Sequence, residues 1–203
     1  MIRFDREFHQ SDFERFKLCP KMFYYKEVMG LDDERKSEMA FAGTAVHAAV
    51  AKAHKENLWE AGTLFAFWKE ELEKGIGEAV AKGVEVPRGT IELQDYFHMI
   101  AGYAEKPWNR EAEILLLEKE FYFEIQPNNA LYQFGGRIDQ VFRVPTELLV
   151  AEFPLFEEFP APAVTIHRDI KTGKKRGISD FELLLNDQIS IYAYALKHGV
   201  FDG

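Results

Sequence analysis

The sequence predicts an α+β fold with helices first, a mostly antiparallel sheet after them, and one closing helix. Three observations predict it. Capped and alanine-rich segments fill the chain to about residue 110. From residue 111, aromatic and β-favouring runs take over. A last segment, between a Ser/Asp cap and a glycine, reads as helix again. At 203 residues the chain has the size of one ordinary domain. A hydrophobic share of 47%, with 18 Phe, 8 Tyr and 3 Trp, suffices for a packed core. We expect one domain over 1–203, helical over 1–110, with the core sheet and closing helix over 111–203.

The elements follow in order. "SDFERFKLCPKMFYYKEVMGL" starts with Ser11 as N-cap and Glu14 as capping-box partner; Pro20 should break or restart the helix and Gly30 should end it. "MAFAGTAVHAAVAKAHKEN" is strongly helical, and "TLFAFWKEELEKGIGEAVAKG" and "TIELQDYFHMIAGYAEKPW" are two more helices divided by Pro87-Arg88-Gly89. "EAEILLLEKEFYFEI" and "LYQFGGRIDQVFRV" are strands joined by a hairpin turn at Pro127-Asn128-Asn129. The proline-bearing stretch 145–163 reads as an inserted loop, and "VTIHRDI" as a short strand. "SDFELLLNDQISIYAYALKHG" has Ser179 or Asp180 as cap and Gly199 as stop.

Charge and cysteine content narrow the function classes. A formal net charge of −9 speaks against a general polyanion-binding surface. It does not exclude an enzyme acting on nucleic acid, because metal sites are themselves built from carboxylates. The single cysteine, Cys19, excludes an internal disulfide and suits a reducing compartment. The N-terminus has no apolar run of a signal peptide, and no stretch approaches the length of a membrane span. A soluble cytoplasmic protein is the expectation.

On a strand, residues two apart share a face, so Asp169 and Lys171 project together while Ile166 and Ile170 fill the other side. A carboxylate beside an ammonium suits a divalent metal with a phosphate next to it. Asp139 follows Gly135-Gly136, glycines that permit close backbone approach or a bulge. If the strands pair, Asp139 and Asp169 meet around one cation, and two carboxylates suit Mg²⁺ or Mn²⁺ better than Zn²⁺. "KTGKKRG" adds Lys174, Lys175 and Arg176, either a solvated turn or a phosphate-tracking patch.

Five segments in order resemble the PD-(D/E)XK nuclease superfamily, in particular its RecB-like branch, related to CRISPR-associated adaptation nucleases. They are the Ser11–Tyr25 C-P segment, "GTAVHAAV", "GGRIDQV", "RDIKTG" and "DQISIYAYAL", spanning Ser11 to Leu196. The resemblance implies a restriction-endonuclease-like fold, a central mixed sheet flanked by helices. It implies that His47, Asp139, Asp169 and the Ile170 carbonyl ligate metal, and that Lys171 orients the attacking water. It further implies that Gln188 and Tyr192 flank the site, at the substrate phosphate or Lys171. Glu120 stands where the family often has a supporting acid.

Of the four cysteines that hold an iron–sulfur cluster in some members, only Cys19 has a counterpart, so no such cluster is expected in this chain. The chain ends soon after the Gln188 helix, where further strands are expected; a fragment and a minimal form both stay open. The implied activity is metal-dependent cleavage of single- or double-stranded DNA, by an exonuclease of repair, recombination or phage replication, with a helicase or other recombination protein as partner. The alternative is a DNA-binding or partner-binding module of the same fold without turnover. Oligomeric state is not legible.

Overall fold

The computed structural model describes residues 2–31, 35–126, 128–150, 153–158, 160–170, 172 and 187–201. A strand, β1 (Ile2–Phe8), precedes helices α1 (Gln10–Leu18) and α2 (Pro20–Phe23) and a π-helical turn, Tyr24–Val28. Then come α3 (Glu38–Glu56), α4 (Ala61–Ala81), α5 (Leu93–Glu105) and α6 (Pro107–Glu111). The long strands β2 (Glu113–Ile125) and β3 (Ala130–Pro145) lead through α7 (Thr146–Val150) and a 3-10 turn, Pro154–Glu158, to β4 (Ala163–Arg168). Helix α8 (Asp187–His198) and β5 (Val200–Phe201) end the described chain. The sheet is mixed, in the order β1-β3-β2-β5 with β4 also on β3; β1 runs parallel to β3, and β4 antiparallel to it. This is the expected α+β architecture.

Several punctuation marks act as their chemistry dictates. Cys19 ends α1 in extended conformation and Pro20 opens α2 at its first position, where no amide hydrogen is needed. Ser37 caps α3 through the Met39 amide at 3.2 Å, and Asn57 closes it with a left-handed φ of 51°. Asn128, in the β2–β3 turn, has a φ of 57°.

Three expectations are corrected. The cap of α1 is His9, not Ser11: the buried Asp12 carboxylate accepts the His9 amide at 3.0 Å, which starts the helix earlier, and Glu14 pairs with the Gln10 side chain instead. The 145–163 stretch is not all loop, because burial of Leu149 folds Thr146–Val150 into α7. The strand "VTIHRDI" stops at Arg168, leaving Asp169 and Ile170 beyond its ladder. Strands β1 and β5 were not anticipated. The Ser179 and Asp180 caps lie outside the described residues.

The chain forms two compact units. One comprises Met1–Asp32, Glu118–Ile138 and Lys174–Gly203. Its core is aromatic: Phe121 meets Tyr192 edge-on at 5.8 Å, and Phe123 stacks on Phe134 at 5.4 Å. Here the two glycines are explained by close approach. A Cβ on Gly135 would collide with the Glu7 carboxylate at 1.3 Å, and one on Gly136 with the Phe121 ring at 2.8 Å.

The other unit comprises Asp33–Leu117 and Asp139–Gly173. Buried Ala42, Ala45, Ala49 and Ala53 let α3 lie close against α4 and α5. Trp68, fully buried, stacks on Tyr96 at 4.9 Å and donates its indole N–H to the Ala42 carbonyl at 3.1 Å. Against β3 and β4 a second cluster forms from Trp108, Phe142, Val144 and Leu149. Among the described residues, no helix is long and apolar enough to cross a membrane. Replacing Trp68 by Ala empties the centre of the helical core and should cost about 3–5 kcal/mol in urea unfolding, with an unchanged m-value.

Candidate metal and phosphodiester site

Asp139 is only 6% exposed, although it is a carboxylate. Strand β3 carries it into the interior between Ile138 and Gln140, both fully buried. Its Oδ2 accepts the Ile170 amide at 2.7 Å, which binds the chain just past β4 back to β3. Its Oδ1 faces the His47 Nδ1 at 3.5 Å. One carboxylate thus joins α3, β3 and the exit of β4. A buried carboxylate costs several kcal/mol in desolvation unless cations and hydrogen-bond donors offset it, and an imidazole and an amide converge here.

Helix α3 reaches this point by its spacing. Gly43 and His47 lie one turn apart and share a face. Gly43 leaves room for Thr172, whose Oγ1 would stand 2.8 Å from a Cβ at that position. Ile170 packs against the helical core, so the segment after β4 is anchored by an apolar side chain as well as by its amide. Among the described residues, Asp169, between these anchors in the chain, does not belong to the group of candidate ligand atoms that includes His47 and Asp139. His167 is held below the usual histidine range, mainly by burial and against the opposing pull of Asp169.

The other unit holds further expected residues. Tyr192 on α8 donates its hydroxyl to the Arg137 carbonyl at 3.1 Å, two residues before Asp139 in the chain. Glu120 is exposed and lines a groove of about 400 Å³ with Glu7, His9 and Arg137. Glu118 is the acid that sequence reasoning missed: it is bound to the Arg137 guanidinium at 3.1 Å and has a left-handed φ of 50°. That conformation costs of the order of 1–3 kcal/mol in a non-glycine residue and recurs at functional positions. Lys171, Lys174, Lys175 and Arg176 lie outside the described residues. Gln188 sits in the first turn of α8, and its side chain lies outside them too.

Next to Asp139 and Asp169 in the chain, Gln140 and Arg168 belong to a polar cluster with no counterpart in the sequence expectations. Arg168 and Gln140 are register partners on β4 and β3, and Arg168 Nε donates to Gln140 Oε1 at 2.7 Å. Arg168 Nη1 donates to Asn109 Oδ1 at 2.7 Å, and its Nη2 to the Tyr103 hydroxyl. The guanidinium lies over the rings of Tyr103 (4.4 Å), Trp108 (4.8 Å) and Phe142 (5.0 Å). Burial pushes the Tyr103 hydroxyl up to about 12, so it stays protonated. His54 on α3 contacts that hydroxyl through Nε2 at 2.5 Å and is lowered to about 4, first by burial and then by Arg168.

Comparison with known proteins matches residues 7–153 to the family model of the PD-(D/E)XK nuclease superfamily. The matched span is most of the chain; it includes His47 and Asp139 and ends before Asp169. No curated protein and no solved structure matches the chain.

The cluster predicts an acid response. The unfolded chain takes up the His54 proton near pH 6.5, the folded chain only near 4. Stability is therefore full above pH 6.5 and falls as pH drops from about 6.5 towards 4. Urea midpoints measured across this range should decline less steeply in His54→Gln.

Proposed function

The chain belongs to the PD-(D/E)XK nuclease superfamily, and on that premise we propose that it is a divalent-metal-dependent deoxyribonuclease of the RecB-like branch. The observation that carries this reading is the meeting of His47 and Asp139 at 3.5 Å, with the Ile170 amide on the other carboxylate oxygen. The residues fit a hard divalent cation. A carboxylate oxygen, an imidazole nitrogen and an adjacent strand-exit backbone suit Mg²⁺ or Mn²⁺, with the imidazole favouring Mn²⁺.

When bound, the cation supplies Lewis acidity towards a phosphoryl oxygen and lowers the pKa of a coordinated water. The chain's own residues divide the remaining work. Asp139 Oδ1 and His47 hold the cation, while the Ile170 N–H keeps Oδ2 occupied and so sets the carboxylate's orientation. Asp169 supplies the second carboxylate and Ile170 its carbonyl. Lys171 orients the attacking water and offsets charge growing on the phosphoryl oxygens. Glu118, directly after Leu117, is the supporting acid in preference to Glu120. Gln188 and Tyr192 steady the strand and the phosphate. Lys174, Lys175 and Arg176 follow the DNA backbone, which a protein of net charge −9 needs locally. The setting is exonucleolytic processing of DNA in repair, recombination or phage replication, in the cytoplasm, beside a helicase or other recombination protein.

The test is incubation of end-labelled single- and double-stranded DNA with the protein and Mg²⁺ or Mn²⁺. Cleavage is expected only with metal, and His47→Ala, Asp139→Asn and Lys171→Ala should each lower its rate by at least about a hundredfold. DNA binding without cleavage on either substrate and with either metal would identify a binding module instead.

A further inference from the structure

We infer that Arg168 and Gln140 are positioning residues for the metal site. The hydrogen bond between them sets where Asp169 stands relative to Asp139. The inference rests on the reading of those two carboxylates as cation ligands, and it assigns a role to a cluster that touches neither metal nor substrate.

The argument begins with chain order. Gln140 is the neighbour of Asp139, and Arg168 is the neighbour of Asp169. The two are register partners at the last rung of the β3–β4 ladder, beyond which β4 ends. Asp169 is therefore the first residue past the ladder, and both of its chain neighbours are tied to β3. On one side Arg168 Nε is bound to Gln140 Oε1 at 2.7 Å. On the other the Ile170 amide is bound to Asp139 Oδ2 at 2.7 Å. Residues 168 and 170 are thus each tied to β3, at 140 and 139, and Asp169 is bracketed between the two ties.

The first tie is itself rigid. Gln140 is 0% exposed, and its Nε2 donates to the Tyr103 hydroxyl at 3.0 Å, so the amide orientation is determined from both ends. The buried Asn109 accepts from Arg168 Nη1 and donates through Nδ2 to the Tyr103 carbonyl at 2.6 Å. The planar guanidinium, with its fork of donors, fills three acceptors at fixed angles while aromatic rings surround it. A lysine ammonium could reach one of those acceptors but not reproduce the fork. A structural pin alone would need no such placement; this one sits beside both candidate ligands. Residues behind metal ligands typically change metal affinity by about 10–100-fold when replaced.

The experiment measures Mn²⁺ affinity of the purified full chain from the EPR signal of free Mn²⁺, with Asp139→Asn marking binding elsewhere on the surface. Alongside, it measures the Mn²⁺ concentration for half-maximal DNA cleavage and the rate at saturating Mn²⁺. Arg168→Met and Gln140→Leu should weaken Mn²⁺ binding by about 10–100-fold, with the half-maximal concentration rising in step and the saturated rate largely restored. Arg168→Lys should fall between wild type and Arg168→Met. Tyr103→Phe removes one shared acceptor without changing shape, and should shift affinity by about two- to tenfold, deciding the matter if the larger changes do not fold.

Folded variants that bind Mn²⁺ as tightly as wild type would overturn the inference, as would a lost saturated rate with unchanged Mn²⁺ affinity. Wild-type protein that binds Mn²⁺ through Asp139 but cleaves no DNA overturns the nuclease reading alone. Wild-type protein that binds no Mn²⁺ overturns both.

Discussion

The structure around the site depends on how one buried carboxylate is accommodated. Asp139 is a buried carboxylate, and each of its partners comes from a different segment: the Ile170 amide from the exit of β4, and His47 from α3. The surrounding packing makes that convergence attainable. Small residues on α3 bring the helix close, Gly43 leaves space for Thr172, and Ile170 enters the helical core. Removing the carboxylate would take away the one group that both the Ile170 amide and the His47 imidazole contact.

Much of this was legible in the sequence because it is local or periodic. The helices declared themselves through alanine content and the Pro20 and glycine stops, whereas the Ser11 cap gave way to His9. The pair His47 and Asp139 was legible only because motif order supplied what spacing could not, since the two residues lie on different elements far apart in the chain. The glycine pair 135–136 announced close approach, and Glu7 and the Phe121 ring are what approach.

The rest was not legible, for physical reasons. The segment of β1 starts an alternation with Ile2 and Phe4 that Arg6 breaks before Phe8, and its identity depends on a parallel pairing with a strand more than a hundred residues away. The cap at His9 depends on a carboxylate reaching backwards, a pattern that Ser11 and Glu14 imitate more conspicuously. Arg168 sits in "HRDIK" among other charges, and nothing in its neighbours announces that Tyr103, Asn109 and Gln140 will gather round it. Glu118 differs from Glu120 by a backbone conformation, which sequence does not display.

The alanine stripe of α3 has a consequence for how such a protein can diversify. Its buried side is filled by Ala42, Ala45, Ala49 and Ala53, where added volume would force α4 and α5 away, so that side resists drift. His47 lies off that stripe, half-buried, on a helix whose backbone is already held. The packing that places α3 therefore does not rest on the His47 side chain alone. On the proposed reading of His47 as a metal ligand, metal preference and helix packing are set by different faces of α3.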